Sequence, residues 1–398
     1  MKWLKHNKVC LLIGACIFAV PLSSMVVIRG TNIWYSQYLG LLTCFGLAAS
    51  FVLWKFNKFI SMFTILCLVS GVSSNTPISL FVMFQIYFGA LACYGIARFT
   101  TSKQRKILLW CIFAMTIIQG LMVILQSFNM DPIFDMLGNT KIDDTVGFNG
   151  SHNQLGNWFA ITSPIIWYLC PEVIMISIFG LWNSTTSSAF IGFSVATVIQ
   201  NLFRSRVWFY SIIAILLFSS IFFMVRYERI STEAIGERYN LLRNSITLVE
   251  QEYANLIVRD KRISGNAHRI TSMSRVKCNK WLGYGLGSFI RMAPYTQDRI
   301  VEAYHRYLHA HNDFIEVYFE LGRLGFILVA LWLLDLIRRF VFSIKTDISK
   351  VSFYCLVAYA VCAMGVFTVH TAVTGYLLIV ILGLFEGEYR DGKITEKS

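Results

Sequence analysis

The 398-residue chain is 56% hydrophobic and 15% aromatic but only 14% charged, and its mean hydropathy is +0.58. A soluble domain carries roughly 25% charged residues, so the composition excludes an ordinary soluble globule and predicts an all-α polytopic membrane protein. The net charge of +13 would suggest nucleic acid in a soluble chain. Here no nucleic-acid partner is expected, because the first question is which side of a bilayer each charge occupies.

In chain order, Lys2, Lys5 and Lys8 precede an apolar run from Val9 to Ile28. A basic start before an apolar run resembles a signal peptide, but this run is span-length and no A-x-A site follows, so an uncleaved first helix is expected. Further spans read at about 33–54, 59–72, 77–97, 107–128, 155–170, a short one near 173–182, 186–203 and 207–225. The last read at about 317–337, 351–369 and 371–385. About twelve transmembrane helices result, at roughly 20 residues each. They divide the chain into helices 1–9 (1–225), a long polar segment (226–313), and helices 10–12 with a tail (314–398).

The charges test this order. With the N-terminus in the cytoplasm, the inside loops hold Lys55/Lys58, Arg98/Lys103/Arg105/Lys106, Arg204/Arg206, Arg338/Arg339/Lys345/Lys350 and Arg390/Lys393/Lys397. The short outside loops hold only Arg29 and Lys141. That alternation satisfies the positive-inside rule and puts both termini in the cytoplasm. Segment 226–313 then lies outside. It carries fourteen Arg/Lys against nine Asp/Glu, and apolar residues recur at helical spacing in stretches such as RYNLLRNSITLVEQEYANLI. A partly helical extracytoplasmic cap is expected. Nine of the ten cysteines fall in apolar runs and no C-x-x-C occurs. They read as small hydrophobes, not as a disulfide framework or a metal site.

The chemistry concentrates at 281–325. His305, His309 and His311 precede the apolar run that begins at Asp313, and His311-Asn312 is followed after nine residues by Gly322-Arg323-Leu324-Gly325. At a helix start the dipole keeps an imidazole neutral, as a general base requires. Glu316 and Glu320 share one helix face, with Arg323 three residues beyond. His309 and His311 are not spaced as a common helical metal pair, so no metal is expected. Gly283, Gly285 and Gly287 form a G-x-G-x-G without the flanking strand and lysine of a nucleotide loop. A backbone-lined turn near an anionic headgroup suits them better, while Gly322 and Gly325 also suit close helix packing. The cap's charge is mostly arginine, whose fork matches phosphate oxygens.

These residues resemble those of the O-antigen ligase and polymerase superfamily of bacterial envelope glycosyltransferases. The resemblance is carried by His311-Asn312-x9-Gly322-x-x-Gly325, by Leu282-Gly283-Tyr284-Gly285-Leu286-Gly287-Ser288-Phe289, and by Gly147-Phe148-Asn149-Gly150-Ser151-His152-Asn153-Gln154-Leu155-Gly156. It implies a GT-C-like helical fold in the bacterial inner membrane. The implied donor is an undecaprenyl-diphosphate-linked glycan, used at the periplasmic face without a cofactor. The implied acceptor is a hydroxyl of lipid A–core, in a ligase, or of a growing glycan, in a polymerase; the large outer segment leans toward ligase. His311, Asn312 and His309 are the implied catalytic group, and Arg238, Arg269, Gly285, Gly287, Asn153 and Arg323 the substrate-binding one. Arg238 fits the family's R-x3-L spelling, whereas Arg269 lies nearer the usual distance from the glycine turn. The stretch Thr186-Ser187-Ser188-Ala189-Phe190 lacks the arginine that family members often carry there. A transporter or flippase is the alternative of another class. Its mid-span ionisable residues and repeated halves find little counterpart in this sequence.

Overall fold

The computed structural model describes residues 8–23, 54–74, 89–128, 130, 147–148, 152–184, 186–202, 281–289, 312–343, 346–365, 368 and 371–395. Within these the chain is helical and contains no strand. We number the helices α1 (Lys8–Ser23), α2 (Lys58–Ser74), α3 (89–99), α4 (Ser102–Ser127), α5 (His152–Leu169), α6 (Ile174–Ser184), α7 (Ser187–Leu202), α8 (Asp313–Ser343), α9 (Asp347–Ala363) and α10 (Ala372–Thr395). The spans read at 33–54, 77–97 and 207–225 and the cap read at 226–313 lie largely or wholly outside the described residues.

The main core cluster joins α1 and α3 through α10, with Trp158, Phe159, Ile112, Leu155 and Phe385 among its fully or nearly fully buried members, and two smaller clusters form around Leu286 with Leu321 and around Phe289 with Phe319. Several polar groups inside the main cluster are satisfied locally. Pro164 within α5 has no N–H to give the Ala160 carbonyl, and the Ser163 hydroxyl donates to that carbonyl instead, at 2.8 Å. Trp158 Nε1 crosses from α5 to the Thr116 hydroxyl of α4 at 3.2 Å.

Two ends of the bundle differ. At one, which we call the ionic end, arginines and acids from several helices converge. Arg105, with no exposed surface, donates to Glu388 (2.8 Å), Asp391 (2.5 Å) and the Thr100 carbonyl (2.6 Å). Gly387 leaves room for it, since a Cβ there would stand 2.6 Å from Arg105 Nε. Arg339 grips both Glu386 oxygens (2.9 and 2.8 Å) and pairs with Asp335, and Asn57 donates to Glu386 at 2.6 Å. The start of α2, the start of α4, the end of α8 and the end of α10 therefore meet here. Their other termini lie at the opposite end, where the loop segments 147–148 and 281–289 and the α9–α10 connection are found.

Among the described residues, Ser102–Ser127 is the one helix both long and apolar enough to cross a membrane; Lys58–Ser70 and Ser188–Asn201 are shorter apolar helices. The short span near 173–182 is α6, whose 11 residues extend about 16 Å, roughly half a hydrocarbon core. It forms a hairpin with α5 because Pro171 opens a turn, Pro171–Val173, instead of continuing a helix. The hairpin closes tightly: a Cβ at Gly180 would stand 2.1 Å from the Phe159 ring.

Candidate active site at the start of α8

Helix α8 begins with a side-chain cap. Asn312 Oδ1 accepts the N–H groups of Phe314 and Ile315, each at 3.1 Å, which satisfies donors that a helix start leaves orphaned. Its Nδ2 donates to the Met364 carbonyl at the end of α9 (2.9 Å). The next residue, Asp313, is buried, and its carboxylate accepts the Thr368 N–H at 2.8 Å. Both residues thus tie the start of α8 to the connection between α9 and α10.

Two turns on, the helix breaks at Gly322, whose φ of 63° and ψ of −159° are non-helical. A kink of this kind frees backbone groups that must find new partners. The glycine turn supplies them. Tyr284 N–H donates to the Phe319 carbonyl (3.1 Å), Gly285 N–H to the Glu320 carbonyl (2.9 Å), and Leu324 N–H to the Trp281 carbonyl (3.1 Å). Contact is backbone to backbone. A Cβ on Gly283 would stand 2.5 Å from Glu320 atoms, and one on Gly322 would stand 2.5 Å from Gly283 N. Gly283, Gly285 and Gly287 all have positive φ (71°, 104° and 72°), where a side chain is strained. The buried Glu320 side chain clamps the far side of the turn by accepting Phe289 N–H at 3.1 Å. Ser70 of α2 accepts Leu286 N–H at 2.7 Å.

The two glycine motifs, some forty residues apart in sequence, are therefore one interlocked unit. Gly285 N–H is engaged by the Glu320 carbonyl, so this amide holds the turn to the helix. Gly325 faces its own helix, a Cβ there meeting Leu321, so the close approach is made by Gly322 to a loop and not by the pair to another helix. Arg323 is exposed and lies over the Trp281 ring, 5.5 Å from its centroid.

The third motif reaches the same end of the bundle. Gly147 N–H donates to Gln126 (2.7 Å) and Phe148 N–H to Gln119 (2.9 Å), two glutamines on one face of α4. Asn153, at the start of α5, accepts the Thr186 hydroxyl at 3.1 Å. Gly365 packs on Ser188, just past Thr186, so Asn153 connects through the start of α7 and the end of α9 to Asn312. Asn312 and Asn153 thus belong to one rim, and the glycine turn and Arg323 lie two to three turns farther along α8. His309, His311, Arg238 and Arg269 lie outside the described residues.

Beside this rim an open groove of about 610 Å³ runs along α8. Asn312 and Met364 stand at its mouth, and Ile315, Tyr318, Phe326, Val329 and Leu333 line its length. Between Asn312 and Leu333 the groove spans the break at Gly322. Reading of the sequence singles out Asp313 and Glu320 without their partners and misses Ser70 and Thr368; the available signal was the series Asp313, Glu316, Glu320, acids three and four residues apart on an apolar helix. Among the described residues no group of three His, Cys, Asp or Glu side chains is placed to hold a metal ion. In comparisons with known proteins, no family model matches the chain and no curated protein matches it.

Proposed function

We propose that the chain is a multi-pass inner-membrane glycosyltransferase, O-antigen-ligase-like, that transfers glycan from undecaprenyl diphosphate to an acceptor hydroxyl at the periplasmic face. The observation that carries this reading is the apolar groove of α8 with Asn312 at its mouth. An apolar groove with Asn312, the residue after His311 in sequence, in its lining suits a donor whose tail is polyprenyl and whose head is polar. The charge alternation of the sequence assigns the ionic end to the cytoplasm, and the described helices α2, α4, α8 and α10 run between the two ends. Both features support a twelve-span arrangement with 226–313 outside.

In this mechanism His311 takes the proton of the acceptor hydroxyl as its oxygen bonds to the anomeric carbon. The bond from that carbon to the diphosphate oxygen breaks, and undecaprenyl diphosphate leaves. Asp313 and Glu316 already answer the positive end of the α8 dipole. Counter-charge for the departing diphosphate must therefore come from arginine, with Arg238 and Arg269 the candidates. Diphosphate is a good leaving group, so alignment supplies much of the rate. No metal or other cofactor enters this scheme.

The test is purified protein in liposomes with labelled lipid-linked glycan, offered lipid A–core or further donor as acceptor. Product on lipid A–core identifies a ligase and lengthened lipid-linked glycan a polymerase. Loss of a general base costs roughly 10²–10⁴-fold in rate, so His311→Ala is expected to lose transfer by that factor while still inserting and binding donor. Stable, donor-binding His311→Ala with wild-type turnover overturns the reading.

A further inference from the structure

We propose that Asp313 is a positioning residue for glycan transfer, fixing the start of α8, which follows His311 in sequence, against the α9–α10 connection through Thr368. This rests on the assignment of His311 above. An acid in the first turn of a helix gains from the dipole at the surface, without burial. Asp313 instead is only 4% exposed, and a buried carboxylate is costly unless bonded. Its bond goes to the Thr368 backbone N–H. Thr368 is itself braced: its carbonyl accepts the hydroxyls of Thr371 (3.2 Å) and Thr374 (2.5 Å) at the start of α10.

The neighbouring Asn312 makes the second tie, to the Met364 carbonyl. Two consecutive residues thus bind two backbone groups four residues apart, one as donor and one as acceptor. A pair of ties of opposite sense fixes both the distance and the orientation of the turn that follows His311. Simple anchoring of a helix end would be met by the Asn312 cap alone. The additional buried acid is explained by a need for alignment, where a displacement of about 1 Å costs roughly 10²-fold in rate.

The experiment measures kcat and donor KM in purified, liposome-reconstituted variants. Asp313→Ala is expected to lower kcat by roughly 10²-fold with donor KM unchanged. Asp313→Asn, which keeps an oxygen for Thr368 N–H, is expected to recover most of that kcat. Asn312→Asp keeps a good helix cap but loses the donor to Met364, and is expected to lower kcat at near-normal thermal stability. Wild-type kcat in Asp313→Ala overturns the proposal, as does an Asp313→Asn as impaired as Asp313→Ala at equal stability. Should Asp313→Ala fail to insert, Asn312→Asp decides, and wild-type kcat there overturns it. Failure of the underlying assignment looks different, since His311→Ala itself would then retain transfer.

Discussion

Charge is buried at both ends of the bundle, but by different bonds. At the ionic end, side chain meets side chain: Arg105 with Glu388 and Asp391, Arg339 with Glu386 and Asp335. Apart from Asp335 with Arg339, four residues apart within α8, these bonds join helix to helix. At the α8 end, side chain meets backbone: Asn312 and Asp313 hold the α9–α10 connection, and Glu320 holds the glycine turn. These bonds join loops to a helix. The ionic end is thereby a closed fastening, and the other end a platform on which loops are aligned. For the proposed transfer reaction, the separation predicts that substitutions at the ionic end change stability at constant rate, and that those at the platform change rate.

The largest expected effect is at Arg105. Removing one partner of a buried pair leaves an uncompensated charge, which costs about 3–5 kcal/mol. Arg105→Ala is expected to lose stability on that scale in a detergent melt, while the surviving folded protein turns over at the wild-type rate. A lowered rate per folded molecule would join the two ends that the structure separates.

Next comes Gly322→Ala. The left-handed conformation strains any side chain by about 1–3 kcal/mol, and the added Cβ would stand 2.5 Å from Gly283 N. The glycine turn must then detach from α8. Accelerated proteolysis at 281–289, with the rest of the bundle intact, is the expected readout. Unchanged proteolysis and rate would show that the interlock is dispensable.

How much of this was legible follows from how far each feature reaches along the chain. Apolar runs such as 107–128 are local, so α4 was readable. The His311-Asn312 step and the glycines were readable as unusual residues at fixed spacing. Their partnership was not, because Gly283 and Gly322 meet only when α8 kinks and a separate segment arrives. Arg105 sits between Gln104 and Lys106 and reads as one more topogenic charge; nothing local distinguishes the buried arginine from its solvated neighbour. Asp313 was visible as a flank of the histidine motif, yet its partner is a backbone amide, which carries no signature in side-chain sequence. The half-length of α6 was foreshadowed by Pro171. For the proposed diphosphate contact the sequence offers two arginines, because Arg238 fits the R-x3-L spelling and Arg269 the distance from the glycine turn.

The smallest expected effect is the sharpest control. Helix α4 opens with a capping box: Thr101 Oγ1 accepts Gln104 N–H at 3.4 Å, and Gln104 Oε1 accepts Thr101 N–H at 2.9 Å. Loss of such a cap costs about 0.5–2 kcal/mol. The 3.4 Å bond is long for this geometry, and Thr101→Ala leaves the return bond from Gln104 in place, so the low end, about 0.5 kcal/mol, is expected. Gln104 is adjacent to Arg105, so any loosening here reaches the ionic fastening before anything else. A small drop in melting temperature with unchanged kcat and donor KM keeps the two ends independent. If instead this mild change lowers kcat, strain at the ionic end travels the length of α4 to Gln119 and Gln126, which hold Gly147 and Phe148. The platform would then be tuned from the opposite end of the bundle.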